Sequence, residues 1–186
     1  LRDGKLQVNM SESLARVPGI NAENRQNYAQ DLQISSRGFG ARSTFGVRGM
    51  RLYSDGIPAT MPDGQGQVAH FDLNSAESME ILRGPFSVLY GNAAGGVISI
   101  TTEEGGPETV LEPSLAIGSF STTRFATKAS GMTNDVAYVA SGWRFRTNGY
   151  RQHSTAEREL ANVKLSAQPW AGAKVTLVAN DFSSPN

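Results

Sequence analysis

The histidines, the acidic turns and the glycine-rich stretches are the places where this chain could carry out chemistry. His70 and His153 are far apart in the sequence and lack the E-x-x-H spacing of a zinc hydrolase, so metal catalysis is unsupported. No serine stands in a G-x-S-x-G elbow, and no P-loop lysine follows the glycine clusters. Asp55 and Asp63 lie in turn sequence and do not form a catalytic pair. We therefore expect no enzyme and no cofactor.

The amino-acid composition excludes several further classes of protein. The 186 residues include 17 Lys+Arg and 17 Asp+Glu. The chain therefore lacks the excess of basic residues that a nucleic-acid-binding domain normally carries. The absence of cysteine excludes a disulfide scaffold and a thiol nucleophile. A copper site at Met61 is also unsupported, because thioether sites need several soft ligands and the methionines are scattered. We therefore expect no metal site and no nucleic-acid partner.

The first half of the chain, residues 1–105, predicts a small α+β domain with a small mixed sheet, because short helices and short strands alternate with glycine-rich turns. A serine-capped helix is expected first, and Pro18-Gly19 ends it. Asp55-Gly56 between two β-prone segments predicts a type I′ hairpin. The predicted helices are 11–17, 74–78 and a turn at 87–90; the strands are 31–35, 50–54, 57–58, 79–83 and 97–101; and 60–67 is a loop.

The second half, residues 106–186, alternates between apolar and polar residues in five segments of about ten residues. Tight turns are expected at 133–135 and 169–172, and a longer polar loop at 148–157. This arrangement is typical of an outer-membrane barrel, although a water-soluble antiparallel sheet with one solvated face is the alternative. Since five strands cannot enclose a lumen, we expect the first antiparallel strands of a large transmembrane β-barrel. No run of 18 apolar residues predicts a transmembrane helix.

One stretch carries the most specific pattern. Leu82-Arg83-Gly84-Pro85, followed by the glycine-rich segment 89–100, resembles the plug signature of TonB-dependent outer-membrane receptors. Other plug motifs are similar and stand in the same order: Leu14 with Pro18-Gly19-Ile20, then Arg37-Gly38-Phe39-Gly40, then the hairpin 53–58. The resemblance covers residues 9–104, and the alternating segments beyond fit the start of the receptor barrel.

A narrower resemblance concerns the ligand. Residues 27–31, 43–49, 58–67 and 148–154 look like the receptor subgroup that includes the transporter for pyrroloquinoline quinone. Neighbouring subgroups carry ferric siderophores, cobalamin or copper. The resemblance thus implies a receptor for a scarce small molecule. A ferric-siderophore or other metal-chelate receptor is the alternative in the same class, and a soluble plug-like binding or signalling module is the alternative in another.

The resemblance also implies a mechanism and its partners. A globular plug would sit inside the outer-membrane barrel, in contact with the lipid through the barrel, and TonB would pull on an N-terminal segment to displace it. That segment is expected before Leu1, and further barrel strands after Asn186. Arg37 and Arg83 match family arginines that pair with barrel glutamates. We therefore expect Arg83 to be unpaired or solvent-facing here, with an ordinary surface arginine as the alternative.

The ligand contacts are expected in the apical loops. The carboxylates of pyrroloquinoline quinone need arginine forks and amide donors. Polar contacts are therefore predicted at Arg42, Gln65 and Gln67, with apolar contacts at Phe45 and Met61. A second set comprises a lumen-facing Arg144 and the loop residues Tyr150 and Arg151. The alternative is that these are solvated loop residues with no ligand, since loops are generally polar.

Overall fold

The computed structural model describes residues 4–24, 28, 30–44, 46–84, 89–91 and 93–185. The chain divides into two compact units, residues 1–101 and residues 102–186, here called the N-terminal and C-terminal units. The sequence predicts the boundary after residue 105. In the structure, residues 102–105 belong by their contacts to the C-terminal unit. No helix among the described residues is long and apolar enough to cross a membrane.

The N-terminal unit consists mainly of strands. Two four-stranded sheets have the orders β1-β2-β3-β6 and β5-β4-β8-β7, and each contains a parallel pair, β2 with β3 and β4 with β8. The expectation of a mixed sheet is thus confirmed, but the helical content is smaller than predicted. The elements are α1 (Ser11–Leu14), β1 (Ile20–Glu23), β2 (Gln33–Ser36), β3 (Val47–Arg48), β4 (Met50–Ser54), β5 (Ile57–Pro58), β6 (Gln65–Gly66), β7 (Ala76–Leu82) and β8 (Gly96–Thr102).

Helix α1 is shorter than predicted and is capped differently. Its N-cap residue is Met10, which makes no side-chain capping bond. The Glu12 carboxylate instead accepts hydrogen bonds from the backbone N–H groups of the three residues that precede Met10, at 2.8–3.0 Å. The predicted serine cap is therefore wrong, because a carboxylate in the first turn holds the entering chain.

Turn-forming residues explain why one predicted element of this unit is present and another is not. Asp55 and Gly56 have φ values of +49° and +79°, so the predicted type I′ hairpin between β4 and β5 is confirmed. The helix predicted at 74–78 is wrong. Asp72 accepts hydrogen bonds from the backbone N–H groups of Asn74 and Ser75, and this Asx-type turn leads directly into strand β7. The helical turn predicted at 87–90 falls largely outside the described residues.

The core of the N-terminal unit lies on its strands. Ile34, Val47, Leu52 and Ile98 are completely buried and come from both sheets. Helix α1 adds Leu14, which is also completely buried. Burial of these side chains is the main stabilising contribution, at about 1.5–3 kcal/mol for each.

The C-terminal unit is one antiparallel sheet in the order β13-β12-β11-β10-β9. The five predicted alternating segments are all strands of this sheet. The four connections between the strands are the turn 119–121, the two-residue turn Asn134-Asp135, the loop 148–155 and the turn Ala171-Gly172. Both Asn134 and Asp135 have positive φ, as a tight hairpin requires. The strands are β9 (Val110–Gly118), β10 (Thr122–Thr133), β11 (Val136–Thr147), β12 (Ala156–Trp170) and β13 (Ala173–Ser183).

The two faces of this sheet have opposite character. One face, the polar face, is buried; it carries Arg124, Lys128, Ser141, Asn162 and Lys164, with the apolar side chains of Val139, Trp143, Phe145 and Leu160 among them. The other face, the apolar face, carries side chains that are exposed: Leu111, Leu115, Ile117, Leu165 and Leu177. A water-soluble sheet has the reverse arrangement, with apolar residues packed inside and polar residues in water. The exposed face of this sheet is therefore apolar, as it is in the strands of an outer-membrane barrel.

Candidate ligand-binding site

A cavity of about 390 Å³ lies in the N-terminal unit beside the connection from β5 to β6. Its walls come from the residues just before β2 and β3, the loop between β5 and β6, strand β6 and the chain that follows it. We call it the β5–β6 cavity. It is lined by Gln30, Asp31, Met61, Gln65, Gln67 and His70, and by Gly46, Ala59 and Gly66.

The loop between β5 and β6 is closed by its own backbone. Met61 donates its backbone N–H to the Gln65 carbonyl at 2.7 Å, and Gly64 donates to the Met61 carbonyl at 2.9 Å. The Asp63 carboxylate accepts the Gln65 N–H at 3.0 Å. Because these bonds close a turn, Met61 and Gln65 are held next to each other. The segment 60–67 is thus not only a loop as predicted, since Gln65–Gly66 pairs with β3.

Two glycines form a wall of bare backbone. A Cβ at Gly46 would lie 2.6 Å from the Gly66 carbonyl oxygen, and Gly46 has a φ of +62°. A Cβ at Gly66 would lie 2.6 Å from Cδ1 of Leu52 in the core. Gly46 therefore excludes a side chain, because the clash is with backbone and its φ is positive, whereas at Gly66 only the end of the Leu52 side chain would have to shift.

Asp31 joins two walls of the cavity. One carboxylate oxygen accepts the Leu32 N–H at 2.9 Å, and the other accepts the Val68 N–H at 3.0 Å. Leu32 and Val68 are both buried. The Asp31 side chain thus fixes the start of β2 to the chain segment that carries Gln67 and His70.

His70 supplies the imidazole of the cavity. Its ring lies 4.6 Å from the ring of Phe71, and the side chain is half-buried. Burial lowers the pKa of His70 below its ordinary value, and the Asp31 carboxylate opposes this effect. The imidazole is therefore neutral at neutral pH, with one nitrogen that donates and one that accepts.

Three of the polar or thioether residues that line the cavity were predicted from the sequence as ligand contacts, and three were not. Met61, Gln65 and Gln67 were predicted as ligand contacts, and all three line the cavity. His70 is the third residue after Gln67, so its position in the same segment was the available signal. Gln30 and Asp31 were indicated only as part of the segment 27–31 that carries the narrower resemblance, because no pattern in the sequence predicts the hydrogen bond between Asp31 and Val68, which are 37 positions apart.

The other predicted contacts of the N-terminal unit lie elsewhere. Arg42 is exposed and is not among the lining residues of the β5–β6 cavity. Phe45 lies outside the described residues. The described lining residues therefore offer amides, a carboxylate, an imidazole and a thioether, but no lysine or arginine. Among the described residues, no cluster of three His, Cys, Asp or Glu side chains is placed to hold a metal ion.

Arg144 does not lie where the sequence predicted. The register pairs it with Phe125, which is 55% exposed, so Arg144 lies on the apolar face and not on the side of the lumen. Its guanidinium contacts the carboxylates of Glu157 and Glu159, the latter at 2.7 Å. The alternation that predicted an inward arginine is broken by charged side chains on the apolar face near the end of β11, where Arg146 also contacts Glu157.

The loop residues Tyr150 and Arg151 lie together in the C-terminal unit. The Arg151 guanidinium stands 4.9 Å from the centre of the Tyr150 ring, within cation–π distance. The Tyr150 ring also approaches Phe120 at 6.3 Å. Asn148 donates its N–H to the Phe120 carbonyl at 2.9 Å, which ties the loop 148–155 to the turn 119–121. This pair thus forms a polar and aromatic surface at the loop end of the sheet.

The two arginines predicted to face a barrel differ in their surroundings. Arg37 is exposed, and its φ of +49° places it at a turn whose N–H donates to the Gly19 carbonyl at 3.1 Å. Arg83 is half-buried, and its Nη1 donates to the Pro18 carbonyl oxygen. Arg83 is therefore not unpaired, because a backbone carbonyl of its own unit accepts from it. The pairing of both arginines with barrel glutamates stays a prediction.

Residues 2–97 match the family described as the TonB-dependent receptor plug domain. The pesticin receptor of Yersinia enterocolitica is 37% identical over 99 residues, which are 52% of this chain and 14% of that receptor. The ferric enterobactin receptor of Pseudomonas aeruginosa is 30% identical over 115 residues, or 54% of this chain and 15% of that receptor. The chain thus spans about one seventh of the length of these relatives.

Solved structures resemble the whole chain. The ferric yersiniabactin uptake receptor FyuA from Yersinia pestis has a TM-score of 0.68 and 28% identity, over 91% of this chain and 28% of that one. The pyoverdine outer membrane receptor FpvA from Pseudomonas aeruginosa has a TM-score of 0.75 over 96% of this chain and 25% of that one. At 19% identity, the second likeness shows the fold alone.

Proposed function

Since the chain belongs to the TonB-dependent receptor plug family, we propose that it forms the plug and first barrel strands of a receptor that imports a small molecule by TonB-driven plug displacement. The outer-membrane location expected from the sequence is confirmed by the relatives. TonB and the ligand are the partners proposed here, and outer-membrane lipid is the proposed contact of the apolar face.

The observation that carries this proposal is the inverted sheet of the C-terminal unit. Its polar face is buried and its apolar face exposes Leu111, Leu115 and Ile117 to between 67% and 77%. Such an arrangement is stable where hydrocarbon, and not water, covers the apolar face. A soluble plug-like module has no need for it. A plug followed directly by such strands is the arrangement that the receptor function requires.

The β5–β6 cavity is the proposed ligand contact of the plug. Its described lining residues present the Gln65 and Gln67 amides, the His70 imidazole and the Met61 thioether, and no guanidinium. These groups suit the metal-bound oxygen atoms and apolar rim of a metal chelate better than a set of free carboxylates, which favour arginine forks. We therefore place a ferric chelate first, in agreement with the names of the relatives.

Pyrroloquinoline quinone is the second candidate. The segment 58–67, which resembles the receptors for that cofactor, contributes Met61 and Gln65 to the cavity. Arg42 is an exposed arginine of the same unit, and its guanidinium is the donor proposed for the carboxylates of this ligand. This candidate requires Arg42 as a ligand contact, whereas a ferric chelate bound in the cavity alone does not.

The test is a titration of the full-length receptor with ferric enterobactin, ferric yersiniabactin and pyrroloquinoline quinone, by isothermal calorimetry. We expect at least one ferric chelate to bind at micromolar concentration or better. The Met61→Ala variant should weaken this binding by about tenfold, a loss of roughly 1.4 kcal/mol. Met132→Ala is the matched control, because Met132 is also exposed and belongs to the C-terminal unit. Binding of the quinone alone, lost in Arg42→Ala, would reverse the order of the candidates.

A further inference from the structure

The segment that leaves the last strand of the N-terminal unit is bound tightly to the sheet of the C-terminal unit. This segment, residues 102–105, begins at the last residue of β8 and precedes β9. Three lysines of the sheet and a backbone contact hold it. We call it the anchor segment.

The first attachment is ionic and buried. The Glu103 carboxylate accepts a hydrogen bond from Lys128 of β10 at 2.5 Å. The Lys128 side chain is only 3% exposed, and its second acidic partner is Glu112 of β9 at 3.1 Å. A buried ammonium that loses a carboxylate is strongly destabilised, so Glu103 is held where Lys128 lies.

The second attachment involves two lysines. Lys164 of β12, with a side chain 5% exposed, donates to the Thr102 carbonyl at 2.9 Å and contacts the Glu104 carboxylate at 3.1 Å. Lys174 of β13 donates to the same carboxylate at 2.8 Å. Burial of the Glu104 carboxyl raises its pKa, but the hydrogen bonds from Lys174 and Lys164 outweigh this and leave the pKa below its ordinary value.

The third attachment is steric. A Cβ at Gly105 would lie 2.0 Å from the Gly131 carbonyl oxygen and 2.6 Å from that of Tyr138. Gly131 and Tyr138 are directly paired between β10 and β11. The chain at Gly105 thus lies against the backbone of the sheet itself. The next residue, Gly106, has nothing within 4 Å of such a Cβ.

We infer that the anchor segment fixes the C-terminal end of the plug to the barrel wall while the rest of the plug is displaced, and that Glu103 and Glu104 are the positioning residues for this step. The inference rests on the proposed function, and deepens it by dividing the plug into a fixed end and a movable part. Four strands of the sheet share the attachment, through Lys128, Tyr138, Lys164 and Lys174. A load on the anchor segment is therefore spread over the wall and not borne by one strand.

The first experiment needs no ligand. Hydrogen exchange is measured on the full-length receptor and on its Glu103→Gln/Glu104→Gln double variant, which keeps the shape of both side chains and removes their charge. We expect amide exchange in residues 100–105 to rise about tenfold or more, with strands β9–β13 unchanged. Glu108→Gln is the matched control, since Glu108 is an exposed acid of the same connection. The exposed partner variant Lys174→Gln should give a smaller rise. Unchanged exchange in residues 100–105, or a rise shared by all five strands, would overturn the inference.

The second experiment tests the step itself, and the absence of cysteine from the chain allows it. Single Thr101→Cys and Ala22→Cys variants are labelled with a maleimide in cells with and without an energised inner membrane. We expect energisation to accelerate labelling in the Ala22→Cys variant and not in the Thr101→Cys variant. Adding Glu103→Gln/Glu104→Gln should make the Thr101→Cys variant respond as well.

The outcomes separate the two proposals. If Ala22→Cys never responds to energisation, the proposed displacement of the plug fails, and the anchor is decided by the exchange data alone. If Ala22→Cys and Thr101→Cys respond equally in the native background, the plug moves as a whole and the anchor is refuted. Equilibrium binding of the ferric chelate at 4 °C should change less than twofold in the double variant, whereas uptake per bound ligand should fall.

Discussion

The Asp31 carboxylate accepts the backbone N–H of Val68 at 3.0 Å, although 37 positions separate the two residues in the sequence. Val68 is only 3% exposed, so water cannot easily replace this acceptor. The same carboxylate accepts the N–H of Leu32. One side chain thereby satisfies two backbone donors and holds two walls of the β5–β6 cavity at a fixed separation.

Replacement of Asp31 by alanine should loosen this cavity. The Val68 N–H would be left buried without its acceptor, which typically costs about 1–3 kcal/mol. Hydrogen exchange at the Val68 amide of the full-length receptor should accelerate accordingly. Asp63→Ala is the control, because Asp63 also accepts a backbone N–H but lies in an exposed turn. Equal exchange at Val68 in the two variants would contradict the role given to Asp31.

The adjacent glycines 105 and 106 should respond very differently to the same substitution. Gly105→Ala places a methyl group 2.0 Å from a backbone oxygen that belongs to a sheet, so the anchor segment must detach or the sheet must distort. Gly106→Ala meets open space and should change stability by less than about 0.5 kcal/mol. Thermal unfolding and limited proteolysis of both full-length variants provide the comparison. A Gly105→Ala protein as resistant as the Gly106→Ala protein would show that the anchor is displaced easily.

The stability of the N-terminal unit should depend on His70 at mildly acidic pH. The folded state holds the pKa of His70 below the ordinary value of 6.5, so the unfolded chain binds a proton that the folded chain resists. The contribution of the neutral imidazole is therefore complete above pH 6.5 and decreases as the pH falls from there through the folded pKa. Hydrogen exchange at Val68, corrected for intrinsic rates, should report this decrease between pH 7.5 and 5.5. The His70→Gln variant should show little of it.

A second pH dependence is expected at the anchor segment, in a lower range. The hydrogen bonds from Lys174 and Lys164 hold the pKa of Glu104 below its ordinary value of 4.5. Attachment is therefore complete above pH 4.5 and is lost as the pH falls through the lower value of the attached state. Exchange in residues 100–105 should increase below this range in the native receptor. In Glu104→Gln, exchange should already be raised at pH 7 and should change less on acidification.

Short-range chemistry made parts of this fold predictable. Asp55-Gly56 specifies a tight turn by itself, and the five alternating segments of the C-terminal unit specify five strands. The helix expected at 74–78 failed because Asp72 captures the following N–H groups before a helix can start. The face of Arg144 was mistaken because its carboxylate partners lie on the neighbouring strand.

The candidate site was predictable only in its local part. Met61, Gln65 and Gln67 lie within seven consecutive residues, 61–67, so a single segment indicated all three. Asp31 reaches that segment through a long-range hydrogen bond that leaves no pattern in the sequence. The lysines that hold the anchor segment were equally unpredictable as its partners, because the alternation along their strands predicts a face but not which carboxylate each lysine contacts.

Strand β1 gives the N-terminal unit a mechanically weak edge. Among the described strands it pairs with β2 alone, in antiparallel register from Ile20 with Ser36 to Glu23 with Gln33. A pulling force applied through the residues before β1 acts first on the pair of Ile20 and Ser36. We therefore expect the residue pairs between β1 and β2 to separate one after another at low force. Strand β8 lies between β4 and β7 and is paired with β4 at five residues, so its release requires several backbone hydrogen bonds to break together. In force spectroscopy the unit should therefore give way in a small early step, and a single late rupture would contradict this order of events.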